Sequence, residues 1–191
     1  MWRNLVGLAD VYLTHGFADE PQPWIASQRA MEVTLPPGVP ATVLHGADLL
    51  VGSAEQAFVD RMLRGTLRPG KWQTITPCFR REPQFDALHL PYFVKLELIH
   101  YMPEKVDFAL RDMMAIVQSA MQQRLNYHPW AHDLQLQRVK TDIGWDLMLR
   151  GYEVGSYGIR TFENHQWVYG TGLAEPRFST LVSGVPVLGA P

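Results

Sequence analysis

The run from Tyr92 to Tyr101 constrains the fold more than any other stretch of the chain. Tyr92, Val94, Leu96 and Leu98 alternate with Phe93, Lys95, Glu97 and Ile99. Successive side chains of a strand point to opposite faces, so one face of this strand is apolar and the other carries charge. A second run, Trp72 to Phe79, leads into Arg80-Arg81-Glu82, in which Arg80 and Glu82 again share a face. A short loop between the two runs would let them present Arg80, Glu82, Phe93, Lys95 and Glu97 together. Such a row is either a solvated sheet face or the lining of a site, and periodicity alone does not separate the two.

A further pair of strands is expected around Arg150-Gly151. Asp146 and Glu153 are an odd number of residues apart and would face opposite sides of one continuous strand. A two-residue hairpin turn at Arg150-Gly151 pairs Leu149 with Tyr152 and Met148 with Glu153, and so returns Glu153 to the face of Asp146. Diagonal neighbours of this kind lie roughly 7–8 Å apart, close enough for two carboxylates to converge on a cation. Oxygen-only ligation suits magnesium, which takes one or two carboxylates together with substrate phosphates and water.

Helices are expected on either side of these strands. Trp2, Leu5, Val6, Leu8, Ala9, Tyr12 and Leu13 have three- and four-residue spacing over residues 2–14, with Gly16 as the stop. Ser53-Ala-Glu-Gln56 has the form of a capping box opening a helix to about Leu63, with Gly65 beyond it. Glu55 falls in the first turn, where the helix dipole favours an acid. Val106 to Leu125 forms an apolar stripe in a long helix starting near Pro103, with Glu104 and Asp107 in its first turn. Pro21 and Pro23 keep residues 17–25 extended, and residues 26–48, punctuated by Pro36-Pro37-Gly38 and Pro40, read as irregular.

Composition excludes several classes. The 191 residues, 47% of them hydrophobic, suit one sizeable core, so a single domain over 1–191 is expected. No run approaches the roughly 20 apolar residues of a membrane span, and no signal-peptide stretch opens the chain. The lone Cys78 leaves no internal disulfide or thiolate-rich zinc site, and a cytoplasmic location is expected. His128 and His132 flank Pro129, with no later His or Cys cluster to complete a metal site. A net charge of −2 gives no overall attraction for nucleic-acid backbones.

Arg80, Arg160 and Arg177 offer permanently charged planar forks for phosphate or carboxylate, and Phe93 offers a flat face for a base. With two carboxylates for magnesium, these residues point to a nucleotide. Neither a P-loop nor a Rossmann glycine fingerprint is present, so the site would be of another kind.

Three motifs, in order, resemble the catalytic core of class II aminoacyl-tRNA synthetases. Gly16-Phe17 with Pro23 resembles motif 1, the dimer-forming helix and strand. Phe79-Arg80-Arg81-Glu82, continuing through His89-Leu-Pro-Tyr-Phe93 to Glu97, resembles motif 2, and Gly170-Thr-Gly172-Leu with Arg177 resembles motif 3. Asp146, Glu153 and Arg160 are similar in spacing to the aspartyl, asparaginyl and lysyl subgroup. The resemblance implies an α+β fold, an antiparallel β-sheet flanked by helices. It also implies ATP as substrate, with Arg80 on the α-phosphate, Phe93 and Arg177 on the two faces of adenine, and Glu82 and His89 completing the ATP set. Asp146 and Glu153 would bind Mg2+. Glu55, Lys95 and Glu97 would serve the amino acid, and Arg160 would favour an acidic or amide substrate.

Ala174 stands where motif 3 has a glycine, and Ser156-Tyr157 where the aspartyl and asparaginyl proteins have small glycines, so Tyr157 is expected to reshape the amino-acid pocket. The chain runs only from motif 1 to just past motif 3, and no anticodon-binding domain is expected. The resulting expectation is an ATP-dependent, AMP-forming, amino-acid-activating ligase with a non-tRNA acceptor, aspartate plus ammonia being the pair considered. A catalytically silent paralogue acting as a binding or regulatory subunit, and a minimal tRNA synthetase, are the alternatives. Motif 1 implies a homodimer.

Overall fold

The computed structural model describes residues 2–35, 39–45, 48–81, 85–129, 131 and 133–183. Its elements run α1 (Trp2–Thr14), β1 (Ala18–Asp19), β2 (Ile25–Ala26), α2 (Gln28–Thr34), β3 (Thr42–His45), β4 (Asp48–Leu50), α3 (Glu55–Leu63), β5 (Gly70–Phe79), β6 (Tyr92–Tyr101), α4 (Val106–Asn126), β7 (Gln137–Lys140), β8 (Gly144–Leu149), β9 (Tyr152–Phe162), β10 (His165–Glu175) and α5 (Arg177–Val182). A seven-stranded sheet has the order β1-β5-β6-β10-β9-β8-β7, and a three-stranded sheet the order β2-β4-β3. Among the described residues of the large sheet, only β1 and β5 pair in parallel. The fold is therefore α+β, an antiparallel sheet with helices on its faces.

The alternation of β6 assigns the two faces. Val94, Leu96 and Leu98 enter a core built with α1, α4 and α5, to which Leu5, Leu8, Tyr12, Met113, Val117 and Met121 contribute. Spacing of three and four residues aligns those side chains along one side of each helix. On the other face, Ile99 and Tyr101 join Trp167 and Tyr169 under α2 and α3 in a second core. That layer covers one end of the charged face. Lys95 and Glu97 are themselves buried, at 7% and 0% exposure. The face is thus the floor of a covered recess rather than a solvated surface.

Of residues 26–48, expected to be irregular, the described ones include the helix α2 and the strands β3 and β4. Ser27 caps α2 by accepting the Ala30 N–H at 3.3 Å, and Ala30, Met31 and Thr34 pack inward. A seven-residue helix shows too little of its period to stand out beside prolines. Pro36-Pro37-Gly38, Glu82 and His132 lie outside the described residues. α4 begins at Val106, so Asp107 but not Glu104 sits in its first turn.

Candidate active site

The hairpin turn forms where the sequence placed it. Arg150 and Gly151 have φ of 54° and 81°, the left-handed pair that a tight two-residue hairpin requires. Leu149 opposes Tyr152 and Met148 opposes Glu153. One step further the ladder departs from a plain hairpin: Leu147 opposes Gly155 and Asp146 opposes Ser156, leaving Val154 without a partner. This β-bulge has a large consequence. In an uninterrupted hairpin Gly155, Tyr157 and Ile159 would follow Glu153 on the site face. The inserted residue reverses that alternation, so Ser156, Gly158 and Arg160 follow instead.

Tyr157 accordingly does not enter the amino-acid pocket as expected. It is fully buried on the helical side of the sheet, and its hydroxyl donates to the Thr171 carbonyl at 2.5 Å. Ser156 takes the pocket position instead. A second bulge, at Gly172 of β10, brings Ala174 opposite Lys95 and onto the same face. No sequence period announced either bulge.

Two adjoining recesses occupy this face. The first is lined by Arg80, Leu88, Phe93, Ala174 and Arg177, and the second by Met31, Glu55, Arg160 and Tyr169. Arg80, Lys95, Glu153 and Ser156 line both. The Arg80 guanidinium lies 5.0 Å from the centre of the Phe93 ring while its Nε donates to the Gly52 carbonyl at 3.1 Å. Arg177 opens α5 and donates from Nε to the Leu88 carbonyl at 3.1 Å and from Nη1 to the Glu153 carbonyl at 3.3 Å. It therefore ties the loop before β6 to the tip of β9. His89 lies on that loop, largely exposed, with Nδ1 2.8 Å from Asp86 Oδ2 and outside the lining of either recess.

The second recess is organised by paired charges. Lys95 Nζ lies 2.9 Å from Glu97 Oε2 and 3.2 Å from Ser53 Oγ. The Ser53 hydroxyl donates to the same Glu97 oxygen, whereas Glu97 Oε1 is buried with no hydrogen-bond partner among the described residues. This corrects the capping box by half. Gln56 does reach back, its Oε1 accepting the Gly52 and Ser53 N–H groups at 2.7 and 3.4 Å, but Ser53 spends its side chain on the site, and Ala54 is the N-cap.

Glu55 is likewise more than a residue favoured by the helix dipole. It is 5% exposed, accepts the Trp167 indole N–H at 2.8 Å and sits 3.0 Å from Arg160 Nε. The Arg160 N–H is not aimed along that line, so the contact is chiefly one of charge. Burial pushes the Glu55 carboxyl above its ordinary pKa, Arg160 pulls it back, and the charge of Glu97 adds to the rise. The Arg160 guanidinium also stacks on Tyr169, 4.9 Å from the ring centre. Its link to Glu55 joins residues distant in sequence, and nothing local marked it.

Asp146 and Glu153 share a face, as the turn required. Burial raises the Asp146 carboxyl, and the Glu153 charge raises it further, against a hydrogen bond from Ser156. The Glu153 charge that raises Asp146 is charge that a cation would relieve, and Glu153 borders both recesses. Both carboxylates are oxygen donors of the kind Mg2+ takes beside phosphates, with Glu153 at the recesses and Asp146 outside the lining of either.

No protein-family model matches the sequence, and neither does any curated protein. Solved structures do match the fold. A pyrrolysyl-tRNA synthetase from Desulfitobacterium hafniense superposes with a TM-score of 0.70 at 21% identity, covering 96% of this chain and 69% of that one. A cytoplasmic serine-tRNA ligase from Naegleria fowleri, in complex with AMP, gives a TM-score of 0.72 at 16% identity, covering 99% of this chain and 49% of that one. The chain thus spans about two thirds and about half of the lengths of these enzymes, and neither is of the aspartyl, asparaginyl or lysyl type. At these identities the likeness is one of architecture: the chain carries the α+β catalytic-domain fold of the class II aminoacyl-tRNA synthetases.

Proposed function

We propose that the protein activates an amino acid with ATP, forming an aminoacyl adenylate and pyrophosphate, and passes the acyl group to an acceptor other than tRNA. The observation that carries this reading is the pair of recesses meeting at Arg80, Lys95, Glu153 and Ser156. A condensation of two substrates needs two adjoining compartments with cationic groups at their junction. The Phe93 and Arg177 side suits a base and its phosphates, and the Glu55, Glu97 and Arg160 side suits a zwitterion. The amino-acid carboxylate attacks the α-phosphorus and pyrophosphate departs. Arg80 and Lys95 stand where charge accumulates, so orientation and charge neutralisation supply the acceleration. Asp146 and Glu153 would hold Mg2+, whose contribution is to neutralise the departing phosphates.

Within this reading, aspartate with ammonia as acceptor is the substrate pair suggested by Arg160 and the motif spacing. An acidic side chain would compete with Glu55 for Arg160, whereas an amide could engage both. A homodimer through the motif 1 region, α1 and β1, completes the proposal. The test is ATP–pyrophosphate exchange with each amino acid, repeated with ammonia and with tRNA. Exchange with aspartate or asparagine and discharge by ammonia supports the proposal. Absence of exchange with every amino acid refutes activation, and discharge by tRNA alone refutes the acceptor.

A further inference from the structure

The nucleotide-side recess exists because two neighbouring strands part. The ladder between β9 and β10 runs from His165–Phe162 to Gly170–Tyr157 and ends there. Beyond it β9 continues against β8, and β10 against β6. Glu153, Val154 and Ser156 line one bank of the opening; Thr171, Ala174, Glu175 and Arg177 line the other. Parting two strands inside a core deprives backbone groups of their partners, and buried carbonyls need replacements.

Two buried tyrosines meet that need from the opposite side of the sheet. Tyr157, the last residue of the ladder, donates its hydroxyl to the Thr171 carbonyl at 2.5 Å, and Tyr12 of α1 donates to the next carbonyl, Gly172, at 2.9 Å. Both side chains are at 0% exposure. The Ser156 N–H, facing across the gap, contacts the Thr171 hydroxyl at 3.4 Å. Glycines surround the two rings closely. A Cβ at Gly155 would lie 2.6 Å from the Tyr157 hydroxyl, one at Gly170 would lie 2.6 Å from its ring, and one at Gly172 would lie 2.8 Å from the ring of Tyr12. Chain and rings are shaped to one another at the point where the strands diverge.

We propose that Tyr157 and Tyr12 are positioning residues that hold the parting of β9 and β10, and with it the recess between Phe93 and Arg177, in its open shape. The proposal rests on the nucleotide-binding reading of that recess. Without the hydroxyls, the Thr171 and Gly172 carbonyls are left buried without these donors. The Ser156 N–H already faces Thr171 across the gap, and its recruitment by the first carbonyl would draw the banks together.

Tyr157→Phe and Tyr12→Phe each remove only an oxygen. Tyr101→Phe is the control, because it also deletes a tyrosine hydroxyl from the same sheet, one that meets His165 Nδ1 at 2.5 Å outside both recesses. ATP binding by calorimetry, melting temperature, and hydrogen exchange at the Ser156 amide are measured on all three variants. The expected result is an ATP Kd raised about tenfold in Tyr157→Phe and Tyr12→Phe, on the scale of one buried hydrogen bond, with slower exchange at Ser156. In turnover, KM for ATP rises and KM for the amino acid does not. A purely structural role lowers the melting temperature but leaves ATP affinity and Ser156 exchange as in the wild type, and that result overturns the proposal. So does an equal loss of ATP affinity in Tyr101→Phe. If the wild type binds no ATP, the proposed function fails, and Ser156 exchange alone decides whether the hydroxyls hold the strands apart.

Discussion

Arg160→Met isolates the charge of the Glu55–Arg160 contact, since methionine retains much of the apolar stem while removing the guanidinium. The side chains of Glu55 and Arg160 are 6% and 29% exposed, so the acid is the partner stranded by the substitution. Losing one member of a buried pair costs about 3–5 kcal/mol, and the partial exposure of Arg160 places this loss near about 3 kcal/mol. For a domain of this size each kcal/mol moves the melting temperature by about 2–4 °C, giving a fall of about 6–12 °C.

The pH dependence has a definite sign. A carboxyl raised in the folded state contributes stability that is fully present below its unfolded pKa and is lost as pH rises through the folded one. Glu55 is already raised from 4.5, and Arg160 is the largest influence holding it down. The Arg160→Met deficit should therefore be greatest at neutral pH and shrink as pH falls toward 4.5. Adding Glu55→Gln should restore most of the loss, because the amide still accepts the Trp167 N–H and leaves no stranded charge. Urea melts of the two single variants and the double variant at neutral and acid pH complete the cycle. A deficit below about 1 kcal/mol, or one independent of pH, refutes the assignment of Glu55 as the stranded charge.

Other predictions concern the turn, the thiol and the assembly. Gly151→Val forces a β-branched residue into φ of 81°, which should destabilise the hairpin by more than about 1 kcal/mol in chemical melts, whereas Gly151→Asn should be much milder. Burial pushes the Cys78 thiol up to about 12, so alkylation by iodoacetamide at pH 8 should be undetectable in the folded protein and rapid in urea. Light scattering should give about twice the 21.7 kDa chain mass if the motif 1 region forms the proposed dimer, and a monomer at all concentrations refutes it.

The sequence by itself determined the elements whose signal is local. Helices α1 and α4 follow from apolar spacing, β5 and β6 from alternation, and the Arg150-Gly151 turn from its position between two strand-like runs. The same alternation placed Phe93, Lys95 and Glu97 on one face, and the turn returned Glu153 to the face of Asp146. Only the tertiary structure decided which of these faces is covered, because burial of Lys95 and Glu97 depends on α3 and the small sheet closing over them. It also decided the bulges at Val154 and Gly172, which arise from the match between neighbouring strands and leave no period in either one. Those bulges turned Ser156, Arg160 and Ala174 toward the site and sent Tyr157 into the core. Ser53 and Glu55 show the same limit. Their helix-terminus pattern was legible, but their partners, Glu97 and Arg160, are supplied by distant strands whose register sequence periodicity does not fix.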